Sequence, residues 1–188
     1  MLDLTGTAPV NGGGGGFASP WTVSGSAAPV SATVEVRVRP ARVADMRGVE
    51  PLINHFAAKA LMLPKTLEQL SRNFREFVVA EDDAGRILGC AALRVYTPQL
   101  AELGSLAVSE EAHGLGVGRK LVAAVEEQAA LHGIGTVFAL TLQDVFFHKQ
   151  GYRTVPKEMF PLKVWADCRN CSKLHACDEI AVVKEVEI

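Results

Sequence analysis

The spacing of apolar residues divides the chain into regular elements from about residue 34 onward. Residues 34–39 alternate apolar and charged side chains, which predicts a strand with one buried face. After Asp45, apolar residues recur at spacings of three and four, which predicts an amphipathic helix. A second, short helix is expected with Thr66 as its N-cap and Gln69 as the capping-box partner.

Strand patterns then lie on both sides of a second long helix. Two apolar runs flank Asp82 to Gly85, a sequence typical of a hairpin turn. A strand at 100–108 leads into a glycine-rich turn and a helix that ends near Gly133. The later elements are a strand at 136–141, a short helix at 144–150, a core strand at 152–155 and a last strand near 181–186. This order predicts an α+β domain with a central mixed, mostly antiparallel sheet flanked by helices.

The first 33 residues differ in composition from the rest. They are rich in Gly, Ser, Ala and Pro, include five consecutive glycines at 12–16, and carry one charged residue, Asp3. A glycine run loses much backbone entropy on ordering and has no side chain to bury. We therefore expect a disordered tail at 1–33 and one domain at 34–188 that includes a Cys-rich C-terminal segment.

Composition and charge narrow the class of protein. With 188 residues, 48% of them hydrophobic, the chain has enough apolar material for one core. A formal net charge of -2 gives no indication of a nucleic-acid partner. No apolar stretch approaches the ~20 residues of a membrane helix, and the N-terminus lacks the layout of a secretory signal. A cytoplasmic protein without a membrane or nucleic-acid partner is expected.

The strand at 100–108 and the turn after it carry the clearest chemical signal. Glycines at 114, 116 and 118 allow a tight turn whose N–H groups point one way, and the following helix adds the positive end of its dipole, so the pattern suits a pyrophosphate. A P-loop would need Lys followed by Ser or Thr after the last glycine, and a dinucleotide fold would put the turn after its first strand. A plain helix start remains an alternative.

Two segments resemble the GNAT acetyltransferases. The run His113-Gly-Leu-Gly-Val-Gly118 is similar to their signature Arg/Gln-x-x-Gly-x-Gly/Ala, with His113 as the departure, and Phe146 to Tyr152 resembles their late Phe-Tyr-x-x-x-Gly-Phe. The resemblance covers 34–155 and implies that acetyl-CoA is the cosubstrate. In that family the strand before the turn commonly splays from its neighbour and pairs with the pantetheine arm. The implied cofactor-binding residues are Leu106, Ala107, Val108, His113, Gly114, Leu115, Gly116, Val117, Gly118 and Arg119.

The C-terminal segment bears on the acceptor. The pattern Lys-Val-Trp-x-Asp-Cys-x-x-Cys from Lys163, together with residues 61–70, resembles short, stand-alone amino-acid N-acetyltransferases of the N-acetylglutamate synthase type. That resemblance implies acetylation of the α-amino group of L-glutamate, the first step of arginine biosynthesis. Because glutamate has two carboxylates, each should be bound by a cation or by several N–H donors. The candidates in the matched segments are Lys65, Lys163 and Arg169, and Arg94, late on the third predicted strand, is a weaker candidate.

The expected mechanism is direct attack of the amine in a ternary complex. Many GNAT enzymes use a tyrosine on the late helix to protonate the leaving thiolate, and that position is Phe147 here. Something must also take a proton from the amine, which is mostly protonated at neutral pH. Water or Glu102, beside the cofactor arm, is the candidate. An equally open alternative is that Glu102 is an exposed carboxylate on the sheet.

Several alternatives remain open from the sequence. Cys168, Cys171 and Cys177 with His175 allow a structural zinc site, although reduced thiols or a reversible disulfide are favoured and no metal ligand is assigned. The acceptor could be another small amine or a protein N-terminus, and a non-catalytic acyl-CoA sensor is a third reading. A homodimer also remains open, with the strand near 181–186 pairing across the interface.

Overall fold

The computed structural model describes residues 35–160 and 176–188. Strands in this part of the chain form one mixed seven-stranded sheet in the order β1-β2-β3-β4-β5-β7-β6. Neighbouring strands are antiparallel except β4 and β5, which are parallel. The strands are β1 (Arg37–Pro40), β2 (Phe77–Glu81), β3 (Ile87–Thr97), β4 (Leu100–Val108), β5 (Thr136–Thr141), β6 (Arg153–Val155) and β7 (Ile180–Glu185).

Helices cover both faces of this sheet. They are α1 (Met46–Ala58), α2 (Leu67–Arg72), α3 (Val117–Leu131) and α4 (Asp144–His148). The predicted capping box of α2 is present: Gln69 N donates to Thr66 Oγ1 at 3.2 Å, and Thr66 N donates to Gln69 Oε1 at 2.9 Å. These reciprocal bonds satisfy two donors at the helix start, so the boundary was readable from the sequence.

The alternation of β4 places successive side chains in two different cores. Ala101 and Leu103 belong to the cluster that packs under α3, which contributes Leu121 and Val125. The opposite face carries α1 and α2, whose buried residues contact β2 and β3. A third cluster around Phe138 lies on the β5–β7 half of the sheet. The predicted α+β architecture of a mixed, mostly antiparallel sheet flanked by helices is confirmed.

The last strand has a different place from the one predicted. β7 lies inside the sheet, pairing with β5 over residues 136–141 on one edge and with β6 over 153–155 on the other. Both edges are therefore used within the chain, and the expectation that this strand pairs across a dimer interface was wrong. The strand at 152–155, predicted to end the core, is instead an outer strand beside β7.

Several sequence predictions lie outside the described residues. These are the disordered tail at 1–33 and the candidate residues Lys163, Arg169, Cys168, Cys171 and His175.

Candidate active site

The sheet opens between β4 and β5. In the described part of the chain, the two strands pair only over Leu100–Glu102 and Thr136–Phe138. Beyond this point β4 continues against β3, while β5 continues against β7 as far as Thr141. The parallel strands thus separate after Glu102 and expose an edge of β4. Such an edge offers backbone N–H and C=O groups that pair with an extended ligand.

A bulge in β4 lies at this opening. Cys90 is opposite Ala107 and Ala92 is opposite Gly104, so Ser105 and Leu106 both face the single residue between them on β3. Ser105 has φ of +52°, a conformation that costs energy for a residue other than glycine. The extra residue bends the strand and turns the segment that ends at Val108.

Cys90, on β3, contacts the bulge. Its Sγ donates to the carbonyl oxygen of Ser105 at 3.5 Å, and the residue is fully buried. Burial raises the pKa of the Cys90 thiol to about 12, so the thiol stays protonated at neutral pH. Cys90 is therefore a packing residue next to the bulge of β4 and does not supply a nucleophile.

The glycine-rich turn has the backbone that its sequence predicts. Gly114 and Gly116 have φ of +80° and +73°, in the left-handed region, and α3 begins directly after them. Gly118 is required for a different reason, close packing, because an added Cβ would lie 3.3 Å from Cζ of Phe146 on α4. The turn thus feeds the N-terminus of a long helix, where N–H groups and the helix dipole bind anions.

His113, where the signature has Arg or Gln, connects the turn to the end of β4. Its Nε2 is 3.1 Å from the carbonyl oxygen of Val108. Since a carbonyl only accepts, Nε2 carries the proton in this bond. The ring is on the surface, as are Leu115 and Arg119, whereas Val117 is buried beneath the turn. Although His113 departs from the signature, its side chain therefore links the turn to the end of β4.

Glu102 is buried at the point where β4 and β5 separate. The residue is 4% exposed, and its Oε2 accepts a hydrogen bond from the Tyr96 hydroxyl at 3.0 Å. Arg94 Nη1 lies 3.6 Å from the same oxygen, and Arg94 Nε lies 3.9 Å from Glu76 Oε2. The alternative that Glu102 is an exposed surface carboxylate is wrong. The sequence did not predict that Tyr96 and Arg94 contact Glu102, because no local pattern indicates the orientation of their side chains.

Phe147 occupies the position of the tyrosine acid in many relatives. Its ring is 3% exposed and packs edge-on against Phe146 and Tyr152, with centroid separations of 5.3 and 5.2 Å. A phenylalanine has no proton to donate, and this one is held inside the core. The late helix therefore offers no general acid at this position.

Lys65 lies at a cleft between α1 and α2. The cleft has a volume of about 590 Å³, and Glu50, Asn54 and Gln69 are among its lining residues. Asn54 fixes the lysine's backbone on both sides, accepting from Lys65 N at 3.1 Å and donating to Lys65 O at 2.9 Å. As far as the described residues go, the lining includes nothing from β4, so the structure does not join Lys65 to Glu102 in one pocket. Its role in binding substrate stays a prediction.

The described residues bear in part on the zinc alternative. Within 35–160 and 176–188, no group of three His, Cys, Asp or Glu side chains is arranged to hold a metal ion. Cys177 is half-buried and its carbonyl oxygen accepts from Lys157 Nζ at 3.1 Å. Because Cys168, Cys171 and His175 lie outside the described residues, structural zinc remains an alternative.

A helix of the length and apolar character needed to span a bilayer does not occur among the described residues.

The fold and the glycine-rich turn define a class, and comparison with known proteins agrees with it. The chain belongs to the acetyltransferase (GNAT) family, whose sequence model matches residues 45–152. The chain is therefore an acetyl-CoA-dependent N-acetyltransferase, with acetyl-CoA as cosubstrate. The resemblance that the sequence indicated is confirmed at the level of the family.

Relatives of known sequence extend this comparison. An N-acetyltransferase of Chlorobaculum tepidum, described as uncharacterized, is 44% identical over 78% of this chain and 94% of its own length. The amino-acid acetyltransferase of Mycobacterium tuberculosis is 33% identical over 63% of this chain and 68% of its own. An amino-acid acetyltransferase of Neisseria meningitidis is 29% identical over 75% of this chain, which spans only 33% of that longer protein.

Solved structures give a similar result. N-acetylglutamate synthase from Neisseria gonorrhoeae, complexed with coenzyme A and N-acetyl-glutamate, superposes with a TM-score of 0.73 at 27% identity. The match covers 82% of this chain and 36% of the synthase. A Mycobacterium tuberculosis protein solved in complex with CoA gives a TM-score of 0.68 over 80% of this chain and 99% of that one.

Proposed function

We propose that this enzyme transfers the acetyl group of acetyl-CoA to the α-amino group of L-glutamate. It would then act as a cytoplasmic N-acetylglutamate synthase in the first step of arginine biosynthesis. The observation that carries the proposal is the buried Glu102 carboxylate at the opening between β4 and β5. The likeness to a synthase complexed with coenzyme A and N-acetyl-glutamate supports the choice of acceptor.

Acetyl-CoA binds along β4 in this proposal. Backbone groups of Leu106, Ala107 and Val108 pair with the pantetheine arm at the open edge, and an N–H group there binds the thioester oxygen. The pyrophosphate binds at the turn from His113 to Arg119. Gly114 and Gly116 suit this role because their positive φ angles allow the turn to close directly onto the N-terminus of α3.

Chemistry proceeds by direct attack in a ternary complex. Glu102, directly or through a water molecule, takes one proton from the ammonium group of glutamate, and the neutral amine attacks the thioester carbon. The new C–N bond forms, the tetrahedral intermediate collapses, and the C–S bond breaks. The sulfur leaves as the CoA thiolate and takes a proton from solvent, since Phe147 has none to give. The nitrogen loses its second proton as the amide forms.

The two carboxylates of glutamate require cations. Lys65, Lys163 and Arg169 are the proposed binding residues. Support for Lys65 comes from its rigid backbone, which Asn54 fixes at both the N–H and the carbonyl. A lysine on a fixed backbone loses less entropy when it binds an anion than one on a mobile loop.

The test is CoA release from acetyl-CoA with glutamate, glutamine, aspartate, lysine and a peptide N-terminus as acceptors. We expect a strong preference for glutamate and a raised KM for glutamate in Lys65→Ala. Lys149→Ala removes an exposed lysine at the end of α4 and should leave that KM unchanged. Preference for an amine without carboxylates, or for a protein N-terminus, would contradict the proposed acceptor while leaving the family assignment intact.

A further inference from the structure

Tyr96 occupies an irregular position on β3. Val95 is opposite Ala101 and Thr97 is opposite Leu100, so Tyr96 is an extra residue in β3 at this point. A bulge of this kind changes the direction of the side chain it carries. Here it turns the tyrosine toward the carboxylate of Glu102, where its hydroxyl donates at 3.0 Å.

The ring of Tyr96 is fixed by aromatic packing. It lies against Phe138, with centroids 5.8 Å apart and an angle of 50° between the rings. Phe138 is itself 1% exposed and stacked on Phe160 at a centroid distance of 4.0 Å. Phe138 is also the residue of β5 opposite Glu102. The ring that carries the hydroxyl is therefore set against a rigid apolar surface beside the carboxylate.

The two oxygens of Glu102 have different surroundings. Oε2 accepts from Tyr96 and lies 3.6 Å from Arg94, which is held in turn near Glu76. Oε1 lies over Gly104, where an added Cβ would be 3.4 Å away. Gly104 lies two residues further along β4 than Glu102, toward the bulge and the proposed cofactor-binding residues 106–108. From β5 the neighbour is the apolar Phe138, and within residues 35–160 and 176–188 the polar groups facing the carboxylate include Tyr96 and Arg94 on β3, with Glu76 beyond Arg94.

We infer that Tyr96 is a positioning residue for the acetyl transfer, holding Oε2 of Glu102 so that Oε1 is directed along β4 toward the reacting amine. The inference rests on the proposed role of Glu102 as proton acceptor. Without the hydroxyl, the carboxylate would lose the contact that fixes Oε2, and Oε1 would no longer be held in one place relative to the amine.

The test is Tyr96→Phe, which removes the hydroxyl and keeps the ring on Phe138. A hydrogen bond to a charged group of this kind is worth a fall in kcat of about 10-fold to 100-fold. The KM for acetyl-CoA should stay unchanged, because Tyr96 contacts Glu102 and is not one of the proposed cofactor-binding residues. A purely structural role would instead lower the melting temperature and raise the KM for acetyl-CoA together with the fall in kcat.

The chain offers a matched control, because it contains two tyrosines. Tyr152 is 4% exposed and lies in the core under α3, away from Glu102. Tyr152→Phe removes the same group and should leave kcat unchanged. Growing the Tyr152→Phe protein with 3-fluorotyrosine then labels Tyr96 alone. A more acidic phenol still donates to Oε2, so kcat should be retained, and a loss as large as that of Tyr96→Phe would contradict the inference.

Glu102→Gln separates the possible failures. If that variant loses activity but Tyr96→Phe has a normal kcat, the inference about Tyr96 is wrong and the proposed role of Glu102 stands. If Glu102→Gln retains full activity, the proton-acceptor role fails and the inference fails with it. In the Glu102→Gln background Tyr96→Phe should have little further effect, and an undiminished effect there would also overturn the inference. If glutamate proves not to be the preferred acceptor, the activities of these variants can still be compared with the amine that the enzyme does prefer.

Discussion

Gly89 on β3 is predicted to set the distance between the sheet and α3. A Cβ added at this position would lie 2.9 Å from Leu121 Cδ1 and 3.0 Å from the carbonyl oxygen of Ala107. Carbon atoms pack best at about 3.5–4.0 Å, so the contact with Leu121 is closer than the best distance by about 0.6 Å or more. Leu121 is 0% exposed and the Ala107 oxygen belongs to the backbone, so neither moves aside easily.

The consequence of Gly89→Ala follows from that overlap. Inserting a methyl group into a filled core costs about 1–3 kcal/mol of the free energy of unfolding. For an ordered domain of this size, the melting temperature should fall by roughly 2–12 °C. Because the displaced atoms belong to α3 and to the cofactor segment of β4, the affinity for CoA should fall as well.

Gly135→Ala is the matched control for this substitution. There the added Cβ would lie 3.3 Å from Cδ1 of Ile188, a side chain that is 80% exposed and able to turn away. Thermal unfolding and calorimetric titration with CoA should leave this variant close to the unaltered protein. An unchanged melting temperature for Gly89→Ala would refute the argument that close packing at Gly89 sets the position of α3.

Three further predictions concern stability and thiol reactivity. Hydrogen bonds from Arg39 and then Arg37 lower the pKa of Glu81 from its ordinary 4.5 to about 2. Because a carboxyl with a lowered pKa stabilises the fold at pH values above its unfolded pKa, the destabilisation caused by Glu81→Gln at pH 7 should shrink as the pH falls from 4.5 toward 2. A difference in melting temperature that stays constant over this range would contradict the prediction. Ala60, two residues beyond the end of α1, has φ of +56°, so Ala60→Gly should raise the free energy of unfolding by up to about 1 kcal/mol in urea titrations, whereas a lower midpoint would count against strain at this residue. Cys90 should react with a thiol reagent only on unfolding, since burial keeps it protonated, and rapid labelling of Cys90 by mass spectrometry would show otherwise.

Local patterns along the chain determine many of the elements of the fold. The strand at 100–108 and the strand at 136–141 were predicted with the bounds that β4 and β5 have. The capping box at Thr66, the hairpin turn after β2 and the glycine-rich start of α3 also depend on residues within a few positions of one another. Such features are readable because hydrogen bonds, φ angles and apolar periodicity are set by near neighbours along the chain.

The sequence predicted the candidate site best where the backbone conformation depends on residue type. The conformation of the glycine-rich turn follows from its glycines, because Gly114 and Gly116 adopt positive φ angles that other residues rarely do. The burial of Glu102 was left open, since alternation along β4 does not say whether the other face is covered. Its partner Tyr96 depends on a one-residue bulge in β3, and no single residue type marks such a bulge.

What only the tertiary structure decided involves segments far apart in the chain. β7 enters the sheet between β5 and β6, and its partner residues in β5 lie 39 to 49 positions away along the chain. The separation of β4 from β5 after Glu102 likewise depends on which strand each one pairs with next. The sequence by itself determined many of the elements, the family and the conformation of the glycine-rich turn through short-range interactions. Strand order, the opening in the sheet and the environment of Glu102 came from long-range pairing and packing, which depend on the whole fold at once.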